Sequence, residues 1–170
     1  QTCALPICGG YQMLGCSLSD PEGVEHGGTM EGMKLLPCET VFEKEKVRTQ
    51  VAATVTASPF SGACMEGYQI HMGRTLGASE PFCVLSDGVP DGAVQGNVFG
   101  TYLHGLFDSG DLTTAMADWL LKRKGMEASG TQMESHREYQ ERQLDLLASV
   151  VRSSLDLDTI YRAMEEYGHG

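Results

Sequence analysis

Two residues stand out for the chemistry they could do. Cys8 opens the run Cys8-Gly9-Gly10-Tyr11-Gln12-Met13-Leu14-Gly15, a cysteine set against two glycines and followed by a helix-like pattern. A strand ending at Ile7 and a helix starting near Gly9 would expose the sulfur at a tight turn, beside N–H groups that favour the reactive thiolate. Glycines there let the backbone take a strained turn and let a substrate carbonyl come close to N–H donors. The alternative is a buried structural thiol beside a glycine turn, since free cysteine is among the most buried residue types. The second residue is His104, at the end of the strand-like stretch Gly96-Asn97-Val98-Phe99-Gly100-Thr101-Tyr102-Leu103-His104-Gly105. A histidine at a strand's end lies at a sheet's rim, where open sheets place ligands, and could act as general base for Cys8. Alone, a strand-end histidine is more often a hydrogen-bonded structural residue. A cysteine with a distant histidine is the pattern of nucleophilic catalysis.

The elements that must position this pair follow from periodicity. A short helix is predicted over residues 11–18, with Tyr11, Leu14 and Leu18 on one side, broken by Ser19-Asp20-Pro21-Glu22-Gly23. Residues 25–32 are polar and glycine-rich and read as a loop. Short extended pieces are expected at 34–36, 39–42 and 49–57, the last alternating Val51, Ala53, Val55 and Ala57 with polar residues. Further strands are expected at 66–74 and 82–85, with turns at Asp87-Gly88 and Pro90-Asp91-Gly92. The rest reads as helical. Ser109 or Asp111 caps a helix through Leu121 that carries Leu112, Ala115, Met116, Trp119 and Leu120, with Gly125 as its stop. A polar linker at 127–131 leads to a long amphipathic helix over 132–155, and Asp156 or Asp158 caps a last short helix bearing Ile160, Tyr161 and Met164.

Composition excludes several functions. A chain of 170 residues suits one domain with a real core. Its formal net charge of −11 argues against nucleic-acid and anionic-membrane partners, which need clustered Lys and Arg. No apolar run approaches the ~20 residues that span a bilayer. The six cysteines have no C-x-x-C pair and no ligand-like Cys/His spacing, so reduced thiols of a cytoplasmic protein are expected, with neither a disulfide framework nor a metal site. Gly27-Gly28 lacks the Lys-Ser/Thr of a phosphate-cradling loop and reads as a flexible turn.

Three blocks in this order carry a family resemblance: Cys8 to Gly15, Gly67-Tyr-Gln-Ile-His-Met-Gly-Arg-Thr75, and Gly100-Thr-Tyr-Leu-His-Gly-Leu-Phe-Asp108. Together they resemble the class I (triad-type) glutamine amidotransferase domain of the cobyric acid synthase family. The closing Leu155-Asp-Leu-Asp-Thr-Ile-Tyr161 is similar to that family's C-terminal end. The resemblance implies a flavodoxin-like α/β fold, a mixed sheet flanked by helices, N-terminally truncated here. It also implies an N-terminal P-loop ligase domain outside this stretch, which would take ATP, magnesium and the corrinoid substrate, while this domain takes glutamine and no cofactor. The implied reaction is glutamine hydrolysis, the ammonia then amidating peripheral carboxylates of adenosylcobyrinic acid a,c-diamide in cobalamin biosynthesis. Carried onto this sequence, Cys8 is the nucleophile and His104 the acid–base. Gly9 supplies an oxyanion donor through its N–H, and Gln12, His71 and Arg74 contact substrate. For His71 a residue simply packing the pocket wall is the competing reading.

The sequence departs from the family in two places. Leu106 stands where most triad amidotransferases have a glutamate orienting the histidine, and Asp108 lies two residues further on, so a dyad or a substitute carboxylate is expected. Pro6 stands where the family has glycine, and the opening heptapeptide reads like a translated adapter sequence. Residues 1–7 are therefore expected to be a non-native or truncated lead-in, and residues 8–170 a partial amidotransferase domain that is inactive on its own. Two other readings remain at this level: an amidotransferase subunit acting on a cell-wall lipid intermediate, and a catalytically silent interaction module.

Overall fold

Alternating apolar side chains build the spine of the structure. Ala53 and Val55 are buried, and with them runs the strand β3 (Glu39–Val55), paired antiparallel along its length with β4 (Cys64–Leu76). The computed structural model describes residues 3–167 except 79, 128, 129, 131 and 132. It divides into two units, Gln1–Met133 and Glu134–Gly170.

In the first unit the sheet runs β2 (Gly28–Glu31), β1 (Ser17–Asp20), β3, β4, β9 (Leu103–His104). A branch through β5 (Cys83–Leu85) and β6 (Pro90–Asp91) pairs with the far end of β3. The pair β1 and β3 is parallel while β1–β2, β3–β4 and β4–β9 are antiparallel, so the sheet is mixed, as expected. A separate hairpin, β7 (Ala93–Gln95) and β8 (Val98–Gly100), carries the lead-in: Ala4 and Ile7 form parallel bridges to Val98 and Thr101. Two helices flank these strands, α1 (Gly9–Leu14) and α2 (Asp111–Arg123). The core gathers Phe60, Phe82, Phe99, Leu103, Leu106 and Leu112, and Trp119 of α2 meets Phe60 edge-on at 5.4 Å.

Several local expectations give way to neighbours. The helix predicted over 11–18 stops at Leu14, because the Leu14 carbonyl accepts from Leu35 and Leu36 N–H, and Leu18 is instead buried on β1. Those same bonds wrap residues 34–36 around the helix end, so no strand forms there. Part of the loop expected at 25–32 becomes β2, completed by pairing with β1. The pieces expected at 39–42 and 49–57 join into one strand through the charged residues 43–46, where the register with β4 shifts. Charged side chains at an irregularity erase the period-two signal without breaking the strand. The stretch ending at His104 splits into β8 and β9.

The second unit holds α3 (His136–Ser154) and α4 (Leu157–Tyr167). The α3 start is fixed by a capping box: Glu138 N–H donates to Ser135 Oγ (3.2 Å) and Ser135 N–H to Glu138 Oε2 (2.8 Å). Asp156 accepts from Thr159 N–H at 3.1 Å and caps α4. Gln132, expected in the long helix, and much of the linker expected at 127–131 lie outside the described residues. Among the described residues no helix is long and apolar enough to cross a membrane.

Candidate active site

Cys8 sits where an extended segment turns into a helix. Its N–H donates to the Thr101 carbonyl (3.0 Å), and its own carbonyl accepts from Gln12 N–H (3.0 Å), so strand and helix bonds both end on one residue. Its backbone is correspondingly strained, at φ 54° and ψ −119°, a conformation that L-residues hold only where the surroundings enforce it. This strand–turn–helix is the elbow that lifts a nucleophile above a sheet. The Gly10 N–H is taken by the Ile7 carbonyl (3.0 Å), whereas a Cβ built at Gly9 meets nothing within 4 Å. Gly9 thus presents open backbone next to the sulfur. Cys8 Sγ donates to the Ile70 carbonyl of β4 at 3.5 Å.

The sulfur faces a cavity of about 610 Å³ that Gly9, Gln12 and His71 also line. Its rim is built by Asp20, at the end of β1, which no sequence expectation singled out. The Asp20 carboxylate accepts from the N–H groups of Val24, Glu25 and Gly27, each at 2.8 Å, and folds that loop over the cavity. Burial pushes its pKa up, but the backbone donors outweigh burial and hold it below the ordinary carboxylate range. The only sequence signal was the Asp-Pro-x-Gly turn, which reads as punctuation.

Gln12 is buried against β4 and donates from Nε2 to Tyr102 OH at 3.3 Å. It fits because residue 73 is glycine: a Cβ there would lie 2.5 Å from Gln12 Nε2. Tyr102 OH also meets Thr75 Oγ1 at 2.7 Å, and its ring stacks on His71 at 3.7 Å. His71 Nδ1 lies 2.7 Å from the Gly73 carbonyl, which can only accept, so that nitrogen carries the proton and Nε2 the lone pair in the neutral ring. Burial pulls the His71 pKa below its ordinary value, against the pull of the Gly73 carbonyl and Asp91.

His104 stands on β9, opposite Tyr68 of β4, and the two rings stack at 4.9 Å and 5°. Its Nε2 is buried and makes no hydrogen bond, so Cys8 Sγ is not bonded to it in this state. The two residues are joined through the chain instead, since Thr101, whose carbonyl holds Cys8, lies three positions before His104. A catalytic hydrogen bond that closes only with substrate bound is common in enzymes. Position 106 offers the ring no acid: Leu106 is buried in the core. Asp108 folds back on Gly105, its N–H donating to that carbonyl at 3.0 Å.

The structure therefore brings Cys8, Gly9, Gln12 and His71 to one cavity, and His104 is not among the residues that line it. Arg74 does not join them: its Nε pairs with Glu43 Oε1 at 3.2 Å on the surface, and it lines a second cavity of about 480 Å³. Positions 71, 73 and 75 of β4 meet Gln12 and Tyr102, and His71 also borders the second cavity. All six cysteines are free.

Residues 1–112 match the family described as the CobB/CobQ-like glutamine amidotransferase domain. Cobyric acid synthase of Ruminiclostridium cellulolyticum is 45% identical over 174 residues, covering 94% of this chain and 34% of its own length. The cobyric acid synthases of Lachnoclostridium phytofermentans and Photorhabdus laumondii are 42% and 41% identical, covering 94% and 96% of this chain and 35% of their own lengths. The chain thus spans about a third of the length of the curated relatives it matches. With a match that reaches from the elbow through β9 and well past half its length, this chain belongs to the CobB/CobQ-like glutamine amidotransferase domain family.

Proposed function

We propose that this domain hydrolyses glutamine at Cys8 and that the protein it belongs to uses the ammonia to amidate carboxylates of a corrinoid, the reaction named for its cobyric acid synthase relatives. The observation that carries this reading is the strained elbow, which points the Cys8 sulfur into a cavity large enough for an amino acid. The Cys8 thiolate attacks the side-chain amide carbon of glutamine, and the Gly9 N–H donates to the oxyanion that forms. Such a donor is typically worth about 3 kcal/mol of barrier. His104, protonated at Nε2, gives its proton to the departing nitrogen, so that ammonia and a thioester result. The neutral ring then takes a proton from water, hydroxide attacks the thioester, and glutamate leaves as the thiolate returns. Gln12, held by Tyr102, and His71, with its Nε2 lone pair, supply polar contacts for the bound glutamine.

ATP, which amide synthesis from a carboxylate consumes, and the magnesium that accompanies it are assigned to the rest of the protein, because no glycine-Lys-Ser/Thr loop stands in this sequence. Full activity is expected of the intact protein rather than of this stretch alone. In the intact protein, Cys8→Ala should abolish glutamine-dependent amidation and leave ammonia-dependent amidation in place. Continued use of glutamine would show that the nucleophile lies elsewhere.

A further inference from the structure

The sequence marked Asp91 only as a turn residue, yet it is a buried carboxylate, 7% exposed. Its Oδ1 accepts from Gln69 Nε2 at 3.0 Å, and its Oδ2 accepts from Tyr102 N–H at 3.1 Å, from the Thr101 hydroxyl, and from the Cys83 thiol at 3.9 Å. Every one of these donors is neutral, and none of the ion pairs among the described residues includes Asp91. A carboxylate held this way is expensive, and burial pushes its pKa up.

What it holds is specific. The Thr101 carbonyl accepts the Cys8 N–H at 3.0 Å, and the Thr101 hydroxyl, donating to Asp91, also accepts the Leu103 N–H at 3.0 Å. Thr101 is thereby tied to the nucleophile on one side and to the residue before His104 on the other. Gln69, the Oδ1 partner, stands opposite Leu103 in the β4–β9 register, next to the Tyr68 that stacks on His104. Leu106, two residues past His104, is buried and offers that ring no acid.

We propose that Asp91 is the positioning residue of the Cys8–His104 pair, acting through the Thr101 hydroxyl in place of an acid placed on the histidine itself. This rests on the glutaminase reading above. The carboxylate fixes the Thr101–Leu103 backbone, and that backbone sets both how Cys8 is presented and where the His104 ring starts from when glutamine arrives. Hydrogen bonds to an ionised acceptor are roughly twice as strong as neutral ones, which suits a clamp that must not drift. Gln69 can turn its amide over, so an asparagine at 91 would keep the volume and a weaker set of bonds, whereas valine at 101 would remove the hydroxyl and leave Asp91 only the Tyr102 N–H on this segment.

The test is glutaminase kinetics on the intact protein carrying Asp91→Asn, Thr101→Val, or both. Each replacement is close to isosteric, and kcat is referred to the fraction of Cys8 that a glutamine-derived chloroketone labels to completion, so a partly unfolded sample does not distort it. A role in positioning predicts a kcat loss of about 100-fold for Thr101→Val and about tenfold for Asp91→Asn, with KM within threefold of the wild type. The double variant should fall well short of the product of the two losses, because Asp91 acts mainly through that hydroxyl. A purely structural role would lower the labelled fraction and leave kcat per labelled site within threefold, which overturns the proposal. So does a rise in KM in place of a fall in kcat, or full additivity in the double variant. Failure of the glutaminase reading would show separately, as no glutamine turnover by the unsubstituted protein, and would take this proposal with it.

Discussion

Gly67 offers the sharpest test of how His104 is placed. A Cβ built on it would lie 1.9 Å from the His104 carbonyl oxygen, where ordinary contact starts at 3.4 Å. The obstacle is backbone, so no rotamer change relieves it. In Gly67→Ala, β4 and β9 must part by about 1.5 Å at the point where Tyr68 pairs with His104. Overpacking of this kind costs on the order of 1–3 kcal/mol of stability. The larger effect is on rate, since displacing a catalytic group by about 1 Å costs about 100-fold. The assay is steady-state glutaminase activity of the intact protein, with kcat referred to labelled Cys8 and alkylation of that thiol followed in parallel. Cys8 is held by Thr101 and α1 rather than by Gly67, so its alkylation should stay within a few-fold of the wild type while kcat falls about 100-fold. A kcat within threefold in the folded variant would refute the reasoning: either the strands do not close on that contact, or His104 is not the group that moves protons.

Two further outcomes follow from the cavity. Asp20→Ala removes the acceptor of the Val24, Glu25 and Gly27 N–H groups and should raise the KM for glutamine about tenfold, with a smaller change in kcat and faster amide exchange across that loop. His71 is held below its ordinary value of 6.5 by burial, so the fold binds its proton less readily than the unfolded chain does. Its contribution to stability is complete above that value and is lost as pH falls toward the folded pKa. The thermal midpoint should therefore decline below about pH 6.5, and His71→Asn should flatten that part of the curve. Asp91, raised by burial, shifts stability in the opposite sense, so the difference between the two curves isolates His71.

The chemistry was legible in the sequence where a residue's role is carried by its immediate neighbours. The Cys8 elbow needs only the adjoining glycines and a strand–helix junction, and it formed as read. The strand ending at His104 was visible for the same reason. What stayed hidden depends on partners far along the chain. The start of α1 could be placed from Gly9, but its end is set by Leu35 and Leu36, about twenty residues away. Arg74 looked like a pocket residue because it shares a block with His71, and only the structure shows it paired with Glu43 at the surface and outside the cavity that Cys8 lines. Asp20 and Asp91 both stand in Pro- and Gly-containing sequence that reads as a turn, where an aspartate is ordinary, although each closes a strand, β1 and β6. Nothing local reveals that one gathers the N–H groups of a loop and the other the donors of three separate segments.

Leu106 explains why the support of His104 has to be spread out. It lies in the core with Phe60, Phe99, Leu103 and Leu112, so a carboxylate at that position would be taken out of water with no donor waiting for it. Leucine stabilises the end of β9 by packing, and packing fixes the backbone without touching the polar edge of the ring. The ring's orientation then falls to contacts that are individually weak: the Tyr68 face at 4.9 Å, the backbone approach at Gly67, and the Thr101 clamp closed by Asp91. Such an arrangement leaves Nε2 without a hydrogen bond. On the proposed glutaminase reading, the imidazole is thereby free to serve the leaving nitrogen and then the water in turn, where an acid bonded to the ring would have fixed its orientation directly.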